Sequence, residues 1–168
     1  MIPVSIETLV VGIPPSPSVI VLRPTGSARQ DDRALPIWIG PSEATAIGSV
    51  LEKQAVVRPM THDLLTNAIH ALHADIDRIL IDRVEGSTFY ATVVLNQGGE
   101  TLRLDARPSD SIALAVRTSA PLFVSEEVLD AAALPFLATL NANNKDDMKE
   151  FREFLDSVKP EDFGSLEE

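Results

Sequence analysis

Three stretches with strand periodicity come before anything helical, and that order rules out a simple helical bundle or a chain of alternating strand and helix units. Residues 2–13 alternate apolar and polar side chains through Ile2, Val4, Ile6 and Val10. Residues 18–22 form a β-branched run beyond the Pro14-Pro15 break, and Leu35-Pro36-Ile37-Trp38-Ile39 stops at Gly40-Pro41. A period of two buries one face of each strand. The first two runs read as a hairpin, and the polar residues 25–34 around Gly26 read as the loop that leads to the third.

The pattern then changes. Residues 42–53 and 61–73 follow helical period, each opened by a Ser or Thr able to cap free backbone amides. In the second helix Leu64, Leu65, Ala68, Ile69 and Leu72 make one stripe, read as core-facing. Residues 76–84, 88–95 and 101–105 return to strand character, joined by Glu85-Gly86-Ser87 and Asn96-Gln97-Gly98-Gly99, so they form a meander. A short helix over 109–118, a strand over 122–124 and a helix over 125–132 follow, the last with Glu126 and Glu127 favoured by the helix dipole. Strands with helices interspersed predict an α+β domain: one compact unit over residues 1–135 with a largely antiparallel or mixed sheet. Residues 136–168 are set apart as an amphipathic helix carrying Met148, Phe151, Phe154, Leu155 and Val158, ended by Lys159-Pro160 and followed by an acidic tail.

The 168 residues are enough to bury roughly two-thirds of the unfolded surface without staples. Zero Cys excludes disulfides and thiolate zinc sites. The start lacks a basic segment and contains Glu7, so no signal peptide is expected. No apolar run approaches the ~20 residues that span a bilayer, so a soluble, cytoplasmic protein with no membrane partner is expected. The net charge of −11 opposes a general nucleic-acid-binding surface. Any polyanion must therefore be met locally.

The candidate local site comes from a repeated order of residues. Arg58-Pro59-Met60-Thr61-His62-Asp63 and Arg107-Pro108-Ser109-Asp110-Ser111 each place a guanidinium, a proline, a hydroxyl and an acid at the mouth of an apolar stretch, and Pro41-Ser42-Glu43 repeats the last three. Glu43 falls on the face of Ile47 and Val50, which its helix should bury, so its carboxylate needs a guanidinium, a metal or a proton. Proline biases the preceding Arg58 and Arg107 toward extended geometry, and a planar guanidinium either grips a phosphate through two hydrogen bonds or pairs with a neighbouring acid. Thr61 and Ser109 read as caps or phosphate donors. Asp63 and Asp110 suit the first helical turn, and with Glu43 they supply hard oxygen ligands for Mg²⁺ or Mn²⁺. His62, between a cap and an acid, reads as a general base or a hydrogen-bonded structural group. Trp38, Phe89 and Tyr90 read as core or dimer surface rather than stacking platforms. Phosphate-cradling Gly-rich loops, dinucleotide fingerprints and nucleophile elbows are missing from the sequence.

Leu35-Pro-Ile-Trp-Ile-Gly40 with Ser42-Glu-Ala44, then Arg58-Pro-Met-Thr-His-Asp63, Phe89-Tyr-Ala91, Asp105-Ala-Arg-Pro-Ser-Asp-Ser-Ile-Ala-Leu-Ala115 and Pro121-Leu-Phe-Val124 together resemble the bifunctional nuclease domain family. The resemblance implies a compact, often self-associating α+β domain acting on both DNA and RNA. It makes Glu43, Arg58, Thr61, His62, Asp63, Arg107, Ser109 and Asp110 the shared polar set. The expectation is a metal-assisted phosphodiesterase of low sequence selectivity. In it Arg58 and Arg107, with Thr61 and Ser109, hold phosphate, Glu43 with Asp63 or Asp110 binds the ion, and His62 or a metal-bound water attacks. The rivals are a non-catalytic interaction domain with a buried Arg–carboxylate network and a small-anion sensor at helix N-termini. Homo-oligomers are expected through the strands of residues 2–13 and 18–22 and through the Met148–Val158 stripe.

Overall fold

The computed structural model describes residues 1–12, 16–26 and 33–135. Its elements are β1 (Ile2–Val10), β2 (Ser18–Pro24), β3 (Arg33–Ile39), α1 (Pro41–Leu51), α2 (Thr61–Ala71), β4 (Ala74–Glu85), β5 (Thr88–Gln97), β6 (Glu100–Ala106), α3 (Pro108–Thr118), β7 (Leu122–Val124), α4 (Glu126–Ala132) and β8 (Leu134–Pro135). The α+β reading and the order of its elements hold. The helix expected over 145–158 lies outside the described residues.

The sheet runs β6-β5-β4-β7-β1-β2-β3, with the two-residue β8 added beside β3. Neighbours are antiparallel except β4 and β7. β1–β2–β3 is one antiparallel half and β4–β5–β6 the other. The three residues of β7 return through α3 and join the halves, pairing Leu122 with Ile79 on one side and with Val4 on the other. Gly98 at φ 60° and Gly99 at φ 92° reverse the chain between β5 and β6, a backbone shape that side chains with a Cβ resist.

Register shifts between Ile6 and Thr8 in β1, and between Ile76 and Arg78 and Ile81 and Arg83 in β4, are bulges that bend their strands. The sheet consequently curls. α4 packs against both β3 and β4, although three strands lie between them in the sheet. Arg33 of β3 reaches Glu126 of α4 at 2.6 Å. The inner face of the curl carries Ile20, Leu22, Leu35, Ile37, Ile79, Ile81, Val93 and Leu95. Against it lies α3, buried along Pro108, Ser109 and Ser111 to Ala115, flanked by α1 and α2, which touch β2 and β4 and add Ala44, Ile47 and Ile69 to the core. Small side chains at Ser109, Ser111, Ala113 and Ala115 let the helix backbone approach its neighbours, while Ile112 fills the space toward the core. Val10, Val19, Val21, Ala34 and Trp38 make a smaller cluster apart from this core.

One expectation about surfaces is overturned and a second is met in part. The α2 stripe is not core: Leu64 is 64% exposed, Leu72 67% and Leu65 43%, and only Thr66 and Ile69 are buried. At ~100° per residue, pinning His62 and Asp63 inward turns the leucines to the flank and the outside. The expected β1–β2 edge is partly covered: β2 has a strand on both sides, whereas β7 pairs with Ile2 to Val4 of β1 and no further along it. The free edge beyond the meander is β6. Its Leu102 and Leu104 pair with the core-facing Leu95 and Val93, yet stay exposed at 38% and 46%.

Candidate active site at three helix N-termini

The hydroxyl residues do not cap their helices. Gly40, Met60 and Arg107 occupy the N-cap positions of α1, α2 and α3, in extended geometry and without a side-chain cap. Proline takes the first helical position of α1 and α3, which its fixed φ suits, and this pushes Ser42 and Ser109 one place into the helix. The acid of each motif then falls at the third helical position: Glu43, Asp63 and Asp110.

Each acid uses that position differently. Asp63 Oδ2 accepts the Met60 backbone N–H at 2.8 Å, closing the open end of α2. The Glu43 carboxylate folds back over Gly40, where a Cβ would stand 2.4 Å from Glu43 Oε2, so any side chain there displaces the carboxylate. Asp110 grips the side chain of its own N-cap residue: Arg107 Nε donates to Oδ2 at 2.7 Å and Nη2 to Oδ1 at 3.1 Å. Arg107 Nη2 also lies 3.0 Å from Glu43 Oε1. His62 Nε2 meets Asp110 Oδ1 at 3.1 Å, completing a chain Glu43–Arg107–Asp110–His62 across α1, α3 and α2.

The electrostatics follow from these contacts. Burial would push the Asp110 carboxyl up, but the Arg107 and His62 hydrogen bonds and charges outweigh it and hold it below its ordinary range. The Asp63 carboxyl is held low chiefly by the Met60 N–H, against burial and with help from Arg117. The Asp110 hydrogen bond, then its charge, raises the Arg107 guanidinium further above its already high value, so it stays charged.

The two Arg-Pro motifs are not equivalent in space. Arg107 stands three residues before its acid and is the N-cap itself, whereas Arg58 stands five before Asp63 and two before the cap. Arg58 is exposed and makes no hydrogen bond or ion pair among the described residues. Its expected place beside an acid belongs to Arg117, which the sequence motifs did not single out. Arg117 is only 6% exposed; its Nε donates to Asp63 Oδ1 at 2.6 Å and its Nη1 to the carbonyls of Ala46 and Ala113, both at 2.9 Å. The available signal was its spacing, one helical turn after the buried Ala113. Thr61 is exposed at the start of α2 and makes no hydrogen bond among the described residues.

A cleft of about 410 Å³ opens beside this chain. Its walls include Ile37 and Ile39 from the end of β3, Ser87, Thr88 and Phe89 from the β4–β5 turn and the start of β5, and Glu43, Arg107 and Ser109 from the helix starts. Ends of β3 and β5 share one cleft because the sheet curls. Phe89, expected in core or dimer surface, is a cleft residue that also packs on the core. Ser109 is buried, and its hydroxyl has no hydrogen bond among the described residues. His62, Asp63 and Asp110 do not line the cleft. The three expected metal ligands are not gathered either: Asp63 is engaged by Arg117 and Met60, and no three His, Asp or Glu side chains among the described residues come together to hold an ion. Both Asp110 oxygens are taken by Arg107 and His62, so of the three acids Glu43 alone keeps an oxygen free of hydrogen bonds among the described residues. One such carboxylate is the low end of the one or two that Mg²⁺ usually takes alongside its waters.

The domain is a curled α+β fold in which an exposed guanidinium, Arg107, lies between two carboxylates and lines a cleft. The chain belongs to the bifunctional nuclease domain family, whose model matches residues 20–136. It is also similar to two Mycobacterium tuberculosis proteins, "Uncharacterized protein MT1877" of strain CDC 1551 / Oshkosh and "Uncharacterized protein Rv1829" of strain ATCC 25618 / H37Rv. Each is 40% identical to it over 168 residues, which cover 94% of this chain and 97% of theirs.

Proposed function

We propose that this cleft binds and hydrolyses a phosphodiester of DNA or RNA with little sequence selectivity. The observation that carries the reading is Arg107: it is 66% exposed and lines the cleft, yet two acids fix its position. A preorganised guanidinium stabilises the charge that builds on a phosphoryl group without reorganising first. The Ser109 hydroxyl, without a hydrogen bond among the described residues, supplies a second donor from the cleft wall. Glu43, with Oε2 free of hydrogen bonds among the described residues, is the carboxylate placed to take a proton from an attacking water. Asp110 and His62 stand outside the cleft and act as positioning residues, holding Arg107 in place.

The cluster of Glu43, Asp110 and Arg107 carries a net negative charge, which repels a phosphate. Mg²⁺ or Mn²⁺ arriving with the phosphate and held at the Glu43 edge of the cleft would reverse that sign and polarise the phosphoryl oxygen. Cleavage of single-stranded DNA, duplex DNA and RNA should therefore require a divalent ion and fall at least tenfold in both Glu43→Gln and Arg107→Ala. Equal cleavage by all three proteins would place the activity elsewhere. The self-association expected from the family likeness fits the free β6 edge, because an antiparallel edge strand pairs with its own copy about a twofold axis.

A further inference from the structure

The cleft is larger and more apolar than a phosphate needs. Beside Arg107, Glu43 and Ser109 it is lined by the partly buried Phe89 and the edges of the buried Ile37 and Ile39, and its volume of about 410 Å³ falls in the range of small-molecule sites, ~300–1,000 Å³. Phe89 packs against the core, so its ring is held by the fold rather than swinging free. An apolar wall with an aromatic ring beside a guanidinium matches a nucleotide in two parts, a flat base and a charged phosphate.

We propose that the cleft receives one unstacked base of a single-stranded nucleic acid against Phe89 while Arg107 holds its phosphate. This rests on the nuclease reading of the same site and makes its substrate class specific. A paired base inside a duplex keeps both faces stacked and presents only an edge, so it reaches the recessed wall only after being turned out of the helix. The chain's 25 acidic residues against 14 Lys and Arg leave little basic surface to track a duplex backbone. Affinity must come from one nucleotide held well. Stacking on an aromatic ring tolerates any base, in keeping with low sequence selectivity.

The test is binding to the full chain in Mg²⁺, read by calorimetry with uridine 5′-monophosphate, adenosine 5′-monophosphate and ribose 5-phosphate. Both nucleotides should bind roughly tenfold or more tighter than ribose 5-phosphate, and Phe89→Leu should erase that preference while leaving ribose 5-phosphate binding unchanged. A ligand-side version covers the case in which Phe89→Leu fails to fold: a short single strand should bind at least tenfold better than the same strand with one abasic position or than its duplex. Equal binding of nucleotides and ribose 5-phosphate, or of single strand, abasic strand and duplex, overturns the base pocket. Arg107→Ala separates the two readings. If it abolishes binding of all these ligands while the base makes no difference, the anion site stands and only the base pocket falls. If it changes neither binding nor cleavage, the nuclease site falls as well.

Discussion

Replacing Arg117 with methionine should destabilise the domain by about 3–5 kcal/mol, the usual loss when one partner of a buried pair is removed. Arg117 is 6% exposed, and its guanidinium makes three hydrogen bonds that tie α2, α1 and α3 together. Charged hydrogen bonds contribute ~1.5–3 kcal/mol each, so their gross loss exceeds that figure. The released desolvation of the guanidinium and the packing of the methionine return part of it. For a domain of this size about 2–4 °C follows each kcal/mol, so calorimetry should show melting fall by roughly 6–20 °C. Arg58→Ala is the matched control and should stay within ~0.5 kcal/mol of the parent, because Arg58 is exposed and unpaired among the described residues. The Asp63→Asn, Arg117→Met double variant should lose less than the sum of the two singles. Near-identical melting of Arg117→Met and the parent, or an equal fall for Arg58→Ala, would refute the assignment of the clamp to Arg117.

The Asp63 carboxylate, held low first by the Met60 N–H and then by Arg117, sets an acid limit. The folded Asp63 carboxyl lies below its ordinary value, so its contribution is complete above the unfolded pKa of ~3.9 and is lost as pH falls through the folded one. The stability gap between the parent and Asp63→Asn should be full at pH 6 and shrink steadily below about pH 4 in urea titrations. Gly40→Ala puts a methyl 2.4 Å from Glu43 Oε2, so it should dislodge Glu43 from Arg107 and cut cleavage several-fold, while melting changes little because the carboxylate swings away. If copies pair through the β6 edge as proposed, light scattering should show a parent larger than a monomer and Leu104→Lys shifted toward the monomer, since a charge on that exposed edge opposes strand pairing; a monomeric parent, or equal size for both, would refute pairing through β6.

Much of the fold was legible because it rests on local rules. Alternation in Ile2–Val10, helical spacing in Pro41–Leu51 and glycines at the β5–β6 turn each act within a few residues, and their elements form where those signals lie. Glu43 was legible for the same reason: an acid on the face of Ile47 announces a buried charge, and the structure supplies Arg107 as its partner. The α2 leucines misled because periodicity reveals that a helix has an apolar face but not which way that face turns. His62 and Asp63, held by α3, fixed the rotation.

The sequence by itself determined the order of strands and helices, the acids at three helix starts and the lack of a broad basic surface. Each depends on neighbouring residues or on composition alone. The tertiary structure decided which of two similar Arg-Pro motifs joins the acids, that Arg117 rather than Arg58 clamps Asp63, and that Phe89 and Ile37 share a cleft. These are contacts between residues tens of positions apart, set by how far bulges curl a sheet and how a helix is rotated on its neighbour. No short-range pattern encodes either quantity.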